Sequence, residues 1–237
     1  MQSNYSDHPT PIRVQYRFQH DDWKAKFDIH VNPETLRSEP LPVSEVPRWA
    51  ALEYQSCEGC EWKESGVCPI AERLAGPMEA FREVVSFEAM EVQVKTEERT
   101  YTKTDGIDAQ QGLSSMFGLL MATSGCPKLA AFRPMARYHL PFSTFDETFF
   151  RVTGICLMTQ LFKSNEPITR AGTVERLNRI YADAAEVNQR VLERLRSGFG
   201  EMADSSPNAV VLLASFSGLV PLMADKQLAE VEKLVNT

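Results

Sequence analysis

Apolar and polar residues alternate over residues 12–19, with Ile12, Val14, Tyr16 and Phe18 on one side, and again over residues 24–31, with Ala25, Phe27, Ile29 and Val31. A period of two places each apolar set on one face of a strand. The short link His20-Asp21-Asp22-Trp23 between the two runs predicts an antiparallel hairpin. Four prolines follow (Pro33, Pro40, Pro42 and Pro47), so residues 32–47 read as an irregular crossing segment, with a short helix starting near Arg48. Residues 69–85 predict a helix with proline at an early position, where the missing N–H costs nothing, and Gly76-Pro77 predicts a break within it. Residues 89–94 and 99–103 predict a second hairpin turned at Thr96-Glu97-Glu98.

Near residue 105 the apolar period changes to 3.6. Residues 110–124 are apolar at Leu113, Met116, Phe117, Leu120 and Met121 and stop at Gly125. Residues 127–138 form a second helical candidate interrupted at Pro134. Residues 145–163 are apolar on nearly every side, which predicts a central buried helix with Cys156 in the core. Thr144-x-x-Glu147 matches a capping box at its start. Residues 173–197 are amphipathic, and 207–224 and 226–235 complete the chain. The fold class expected is therefore α+β: about four strands in N-terminal antiparallel hairpins packed on a helical C-terminal half. The whole chain, 1–237, is expected to form a single domain, with 12–105 its β-rich half carrying the cysteine loop and 106–237 its helical half. The first ten residues are polar, carry two prolines and read as a loose tail.

Composition adds exclusions. A net charge of −7 argues against a general binder of nucleic acid or of anionic membranes. No unbroken run of eighteen apolar residues occurs, so no membrane span is expected, and the first residues lack the basic and apolar regions of a signal peptide. The expected compartment is the cytoplasm, where five cysteines do not suggest a disulfide framework.

Three of those cysteines crowd into Cys57-Glu58-Gly59-Cys60-Glu61-Trp62-Lys63-Glu64-Ser65-Gly66-Val67-Cys68-Pro69. A C-x2-C turn brings two thiolates to one ion, Gly59 permits the tight bend, and Ser65-Gly66 returns the chain so that Cys68 supplies a third. Cys126, in Ser124-Gly125-Cys126-Pro127, is the candidate fourth ligand. It lies at a helix junction whose first-turn N–H groups would stabilise a thiolate. Zinc sites usually show two paired knuckles. A triple plus a single, with proline after two of the cysteines, looks more like iron–sulfur ligation, with a 4Fe–4S cluster favoured and zinc the alternative. A dithiol redox motif at Cys57 and Cys60 ranks third, since Glu58, Glu61 and Glu64 would raise the thiol pKa values.

Arg133, Arg137 and His139 follow Cys126 in a segment otherwise rich in Phe, Met and Pro. They are candidates to neutralise an anionic cluster, hold a small anionic ligand or move a proton. Ser114 and Ser115 stand near a helix start, with capping as the expected role. Three functions are open: an iron–sulfur protein in electron transfer or redox sensing, serving a redox partner protein; a zinc-stapled interaction module; or a cysteine-dependent enzyme with Cys126 as nucleophile and His139 as base. Dinucleotide, Walker A, hydrolase, zincin and kinase signatures are all absent from the sequence.

The cysteine loop, Gln111-Gly112-Leu113-Ser114-Ser115, Ser124-Gly125-Cys126-Pro127, Arg133-Pro134-Met135 and His139-Leu140-Pro141-Phe142 together resemble a family of uncharacterised bacterial proteins of about this length, a domain of unknown function. The resemblance runs from the first hairpin to the C-terminal helices and is most specific in the cysteine loop and over residues 111–151. It implies a bacterial, soluble protein and carries no activity with it.

Overall fold

The computed structural model describes residues 12–165, 167–198 and 203–236. The expected N-terminal tail lies outside them. Strands β1 (Ile12–His20) and β2 (Trp23–Val31) form the first hairpin, with Tyr16 opposite Phe27 and Phe18 opposite Ala25. Strands β3 (Glu91–Lys95) and β4 (Thr100–Lys103) form the second. The two hairpins join through an antiparallel β1–β3 pairing, giving the order β2-β1-β3-β4. Asp21 takes the positive φ that the first turn needs, a conformation aspartate tolerates because its short carboxylate can bond locally.

Helix α1 (Pro69–Ala80) begins after Cys68. Helix α2 (Ala109–Ala122) starts at a capping box between Asp108 and Gln111, so Ser114 and Ser115 have no part in its cap. A 3-10 segment spans Pro127–Ala136. Helices α3 (Phe145–Lys163), α4 (Arg170–Gly198) and α5 (Ser205–Val235) complete the chain. Among the described residues no strand follows β4. The inner face of the sheet (Val14, Tyr16, Phe18, Val92 and Val94) shares one core with α1, α2 and the inner faces of α4 and α5. The expected α+β architecture is observed.

Three local expectations are corrected. Helix α1 runs unbroken through Gly76-Pro77, since both residues are buried, Gly76 against the 41–42 segment, and tertiary packing outweighs the lost backbone hydrogen bond. Helix α3 keeps the expected bounds but is peripheral. Phe149, Val152 and Cys156 face a small second cluster with Leu177, Tyr181 and Val220, while Phe150, Met158, Leu161 and Phe162 are exposed. Buried at the centre instead is α2, with Leu113, Met116, Phe117 and Leu120 sealed from solvent. The C-terminal residues form one helix rather than two. In α5 an eighteen-residue stretch has a mean hydropathy of 1.6, long and apolar enough by length and composition to cross a membrane. A search for an unbroken apolar run misses it because Ser and Gly interrupt the run.

Gly76 shows how closely α1 meets the crossing segment: a Cβ there would stand 2.3 Å from the Pro42 carbonyl oxygen. Gly76→Ala should therefore cost about 2 kcal/mol of unfolding free energy, despite alanine's better helix propensity. Gly154→Ala in α3, where a Cβ meets nothing within 4 Å, should gain up to about 1 kcal/mol. Urea unfolding of the two variants checks both signs.

Candidate metal centre and the neighbouring cavity

The chain reaches the cysteine loop through a 3-10 turn at Arg48–Ala50. The loop is pinned at its base. Cys68 N–H donates to the Ala50 carbonyl at 2.8 Å, Leu52 N–H to the Gly66 carbonyl at 2.9 Å, and Ala51 bridges Val67. Gly59 and Gly66 both have positive φ, 63° and 80°, so the C-x2-C bend and the return to Cys68 each use a conformation that glycine adopts freely. On the opposite side, Ser124 Oγ accepts from Cys126 N–H at 3.2 Å, and Gly125 turns the chain with φ 93°.

These two segments meet. Cys57, Cys60, Cys68 and Cys126 all line one cavity of about 340 Å³, closed on the helical side by α4 through Asp183, Val187, Arg190, Val191 and Arg194. All four are free thiols and partly buried. Glu186 of α4 ties the segments together: its carboxylate accepts from Glu58 N–H at 2.9 Å and from Lys128 Nζ at 2.6 Å. Among the described residues, no group of three or more His, Cys, Asp or Glu side chains is arranged as a ready-made holder for a metal ion.

Electrostatics within the cavity differ from the expectation. The backbone N–H groups of Lys128 and Leu129 do bond the Cys126 sulfur and favour its thiolate, but burial outweighs them and pushes the thiol up to about 12. Burial likewise raises Cys57 to about 11, helped by Glu186 of α4 rather than by the loop glutamates. Both thiols are therefore held protonated at neutral pH.

Arg133 is the one of the three post-cysteine candidates whose guanidinium feels the charge of Cys126, which favours its protonated form. It is half-buried near Arg37, its guanidinium pKa is lowered by burial, and its Nε is sealed from water without a partner among the described residues. Arg137 is exposed. His139 belongs elsewhere. Its Nε2 lies 2.7 Å from the Tyr16 hydroxyl, which also meets Ser115 Oγ at 2.9 Å, and Ser115 Oγ accepts from Phe142 N–H at 3.2 Å. This network stitches the sheet to the helical half and helps hold Phe142 in its left-handed conformation, φ 59°. No hydrogen bond joins His139 to Cys126 among the described residues, so the thiol lacks this histidine as a base.

Burial, with Arg151 adding repulsion, depresses the His139 pKa from 6.5 to about 3, so the folded protein keeps it neutral. An unfolded chain takes up the proton below pH 6.5 and the folded one does not. The stability contributed by the neutral imidazole is thus complete above pH 6.5 and falls as the pH drops toward 3. Relative to His139→Asn, the native protein should lose about 2 kcal/mol between pH 6.5 and pH 5, read by urea unfolding at each pH. Parallel curves for the two proteins would show that His139 is not held neutral.

A second cavity, of about 440 Å³, contains His139 and Ser115 in its wall together with Lys103, Phe132, Phe142, Arg151, Tyr181 and Phe216. It lies just across the same two elements from the cysteine cavity. Lys128 and Asp183 line one, and their chain neighbours Leu129 and Ala184 line the other.

Arg194, Lys128 and Glu186 escaped the sequence reading. For Arg194 a signal existed, because it falls on the apolar stripe of α4, one turn beyond Val191 and two beyond Val187, where a charge demands a partner. Buried there, its Nη1 donates to the carbonyls of Trp49 and Ala51 at 2.8 and 2.5 Å.

A family model described as a domain of unknown function, DUF6901, matches residues 12–236. No curated protein and no solved structure matches the chain.

Proposed function

We propose, for a chain that belongs to the DUF6901 family and takes no activity from that membership, that it is an iron–sulfur protein holding a 4Fe–4S cluster through Cys57, Cys60, Cys68 and Cys126, with a role in electron transfer or redox sensing. The observation that carries the reading is the opening of all four thiols into one cavity, three from a short loop and the fourth from a segment 58 residues further on.

The donor set suits the cluster. Four thiolates would supply one terminal ligand to each iron of a cubane, and the peptide N–H groups of Lys128 and Leu129 already point at the Cys126 sulfur, where they would stabilise a terminal thiolate. A cluster with four thiolates is anionic. Arg194, buried in the cavity wall and bonded among the described residues to carbonyls alone, offers compensating charge, whereas Lys128 is already paired with Glu186. When bound, the cluster would supply one-electron redox capacity. The chain's own residues would set its potential through burial and the N–H···S bonds.

Zinc is less well supported. Thiolates around one tetrahedral zinc stand about 3.8 Å apart, given bonds of about 2.3 Å. A cavity of about 340 Å³ without a ready-made single-ion group suits a larger occupant. The test is purification under nitrogen followed by metal and sulfide analysis. Brown protein with near-equal iron and acid-labile sulfide, about four of each per chain, is the expected result. A colourless protein carrying about one zinc per chain would replace this reading with the zinc-stapled module.

A further inference from the structure

The second cavity holds a combination of groups that the metal reading does not use. Phe132, Phe142, Phe216, Leu212 and Met135 make most of its wall apolar. Two cationic side chains, Lys103 and Arg151, also line it, and among the described residues lining it there is no Asp or Glu, although the chain as a whole carries a net charge of −7. Lys103 makes no ion pair among the described residues, and its Nζ stands 6.0 Å from the centre of the Phe142 ring. Arg151 donates to the carbonyls of Met135 and Tyr138 at 3.2 and 2.7 Å, and burial opposes its charge. Glu147, the acid that acts on Arg151, is already engaged in capping α3.

Tyr181 supplies an independent sign. It lines the same cavity and is 2% exposed, yet its hydroxyl is sealed from solvent with no hydrogen-bond partner among the described residues. A buried phenol is normally bonded, because leaving it unpaired costs about 1–3 kcal/mol. The neighbouring polar groups are spent on one another: His139 on Tyr16, Ser115 on Tyr16 and Phe142, and Asn188 on Ser217 at 3.0 Å.

An apolar, aromatic-rich cavity of this volume, with net positive charge and an unspent buried hydroxyl, has the make-up of a small-molecule site. We infer that it binds a small carboxylic acid with an apolar body: the carboxylate meets Lys103 and Arg151, and the chain or ring lies among Phe132, Met135, Leu212 and Phe216. An oxygen on the body of the natural ligand would satisfy Tyr181. The assignment stands whether or not the cysteines hold a cluster.

Decanoate and its neutral counterpart 1-decanol are the probes, added to the full chain and followed by calorimetry and by the methyl resonances of Met121 and Met135, both in the cavity wall. Decanoate should bind saturably and shift both methyl signals, with decanol at least about tenfold weaker. Lys103→Gln, on the exposed strand β4, should weaken decanoate about tenfold and leave decanol unchanged. Gly118→Leu projects a side chain from α2 toward the cavity and should abolish both, with an unchanged circular dichroism spectrum showing that the fold survives. The site is wrong if decanoate shows no saturable binding up to about 1 mM. It is equally wrong if Gly118→Leu leaves binding intact, and its anion selectivity is wrong if decanol matches decanoate or Lys103→Gln has no effect.

Discussion

Cys126→Ser should strip the protein of most of its iron and sulfide, while Cys156→Ser keeps the full complement. Both are single sulfur-to-oxygen changes, but Cys126 opens into the four-thiol cavity and Cys156 is buried in the small cluster between α3, α4 and α5. Losing one of the four proposed ligands would also remove the folding energy that a bound cluster would supply. A group held a thousandfold above its dissociation constant stabilises the native state by about 4 kcal/mol, and Cys126→Ser should forfeit a term of that order. Iron and sulfide analysis after anaerobic purification, with thermal melts, reads both effects. Equal iron in the two variants would remove Cys126 from the site.

Arg194→Met should destabilise the protein by about 2–3 kcal/mol, the largest effect expected of any change away from the cysteines. Methionine fills similar space but removes the guanidinium donor from the carbonyls of Trp49 and Ala51, the second of which keeps Tyr54 N–H at 3.2 Å. Those carbonyls lie in and just after the 3-10 turn whose Ala50 carbonyl holds Cys68 N–H, so the loop should loosen and would hold a metal more weakly. Arg194→Lys restores a charged donor and should recover part of both losses. Urea unfolding gives the stability, and iron retained after chelator challenge gives the metal effect. A loss below about 1 kcal/mol for Arg194→Met would mean that solvent or another residue serves those carbonyls.

The sheet was legible because alternation over two long runs, Ile12 to Phe18 and Ala25 to Val31, admits only one face toward a core. Strands β1 and β2 form within one residue of the bounds expected over 12–19 and 24–31, with His20 and Trp23 drawn from the link into the ladder. Helix α3 was legible in extent, through its capping box, and not in placement. An all-round apolar helix reads as central, yet its exposed Phe150, Leu161 and Phe162 show that composition does not say which neighbours arrive. At the cysteines, spacing drew Cys57, Cys60 and Cys68 together, and the helix-junction chemistry around Gly125 singled out Cys126. The meeting of the two segments depends on Glu186 and Arg194 of α4, more than a hundred residues from the loop, and no local pattern announces such long-range partners. His139 was misplaced for a related reason. Thirteen residues from Cys126, it turns to the opposite side of the 127–136 segment, because Tyr16 in the distant β1 provides the hydrogen bond that fixes it.

The strand order has a consequence for how the molecule would respond to a cut. Because β1 lies between β2 and β3, the two strands nearest the N-terminus supply half of the sheet, while the cysteine loop hangs in the excursion between β2 and β3. A protease that cleaves after Glu61 produces two fragments, neither with a complete core of its own. The β1–β3 ladder and the buried rings of Tyr16 and Phe18 should hold them together. The severed ends then carry Cys57 and Cys60 on one fragment and Cys68 and Cys126 on the other, and a cluster bound between them becomes a bridge joining two chains.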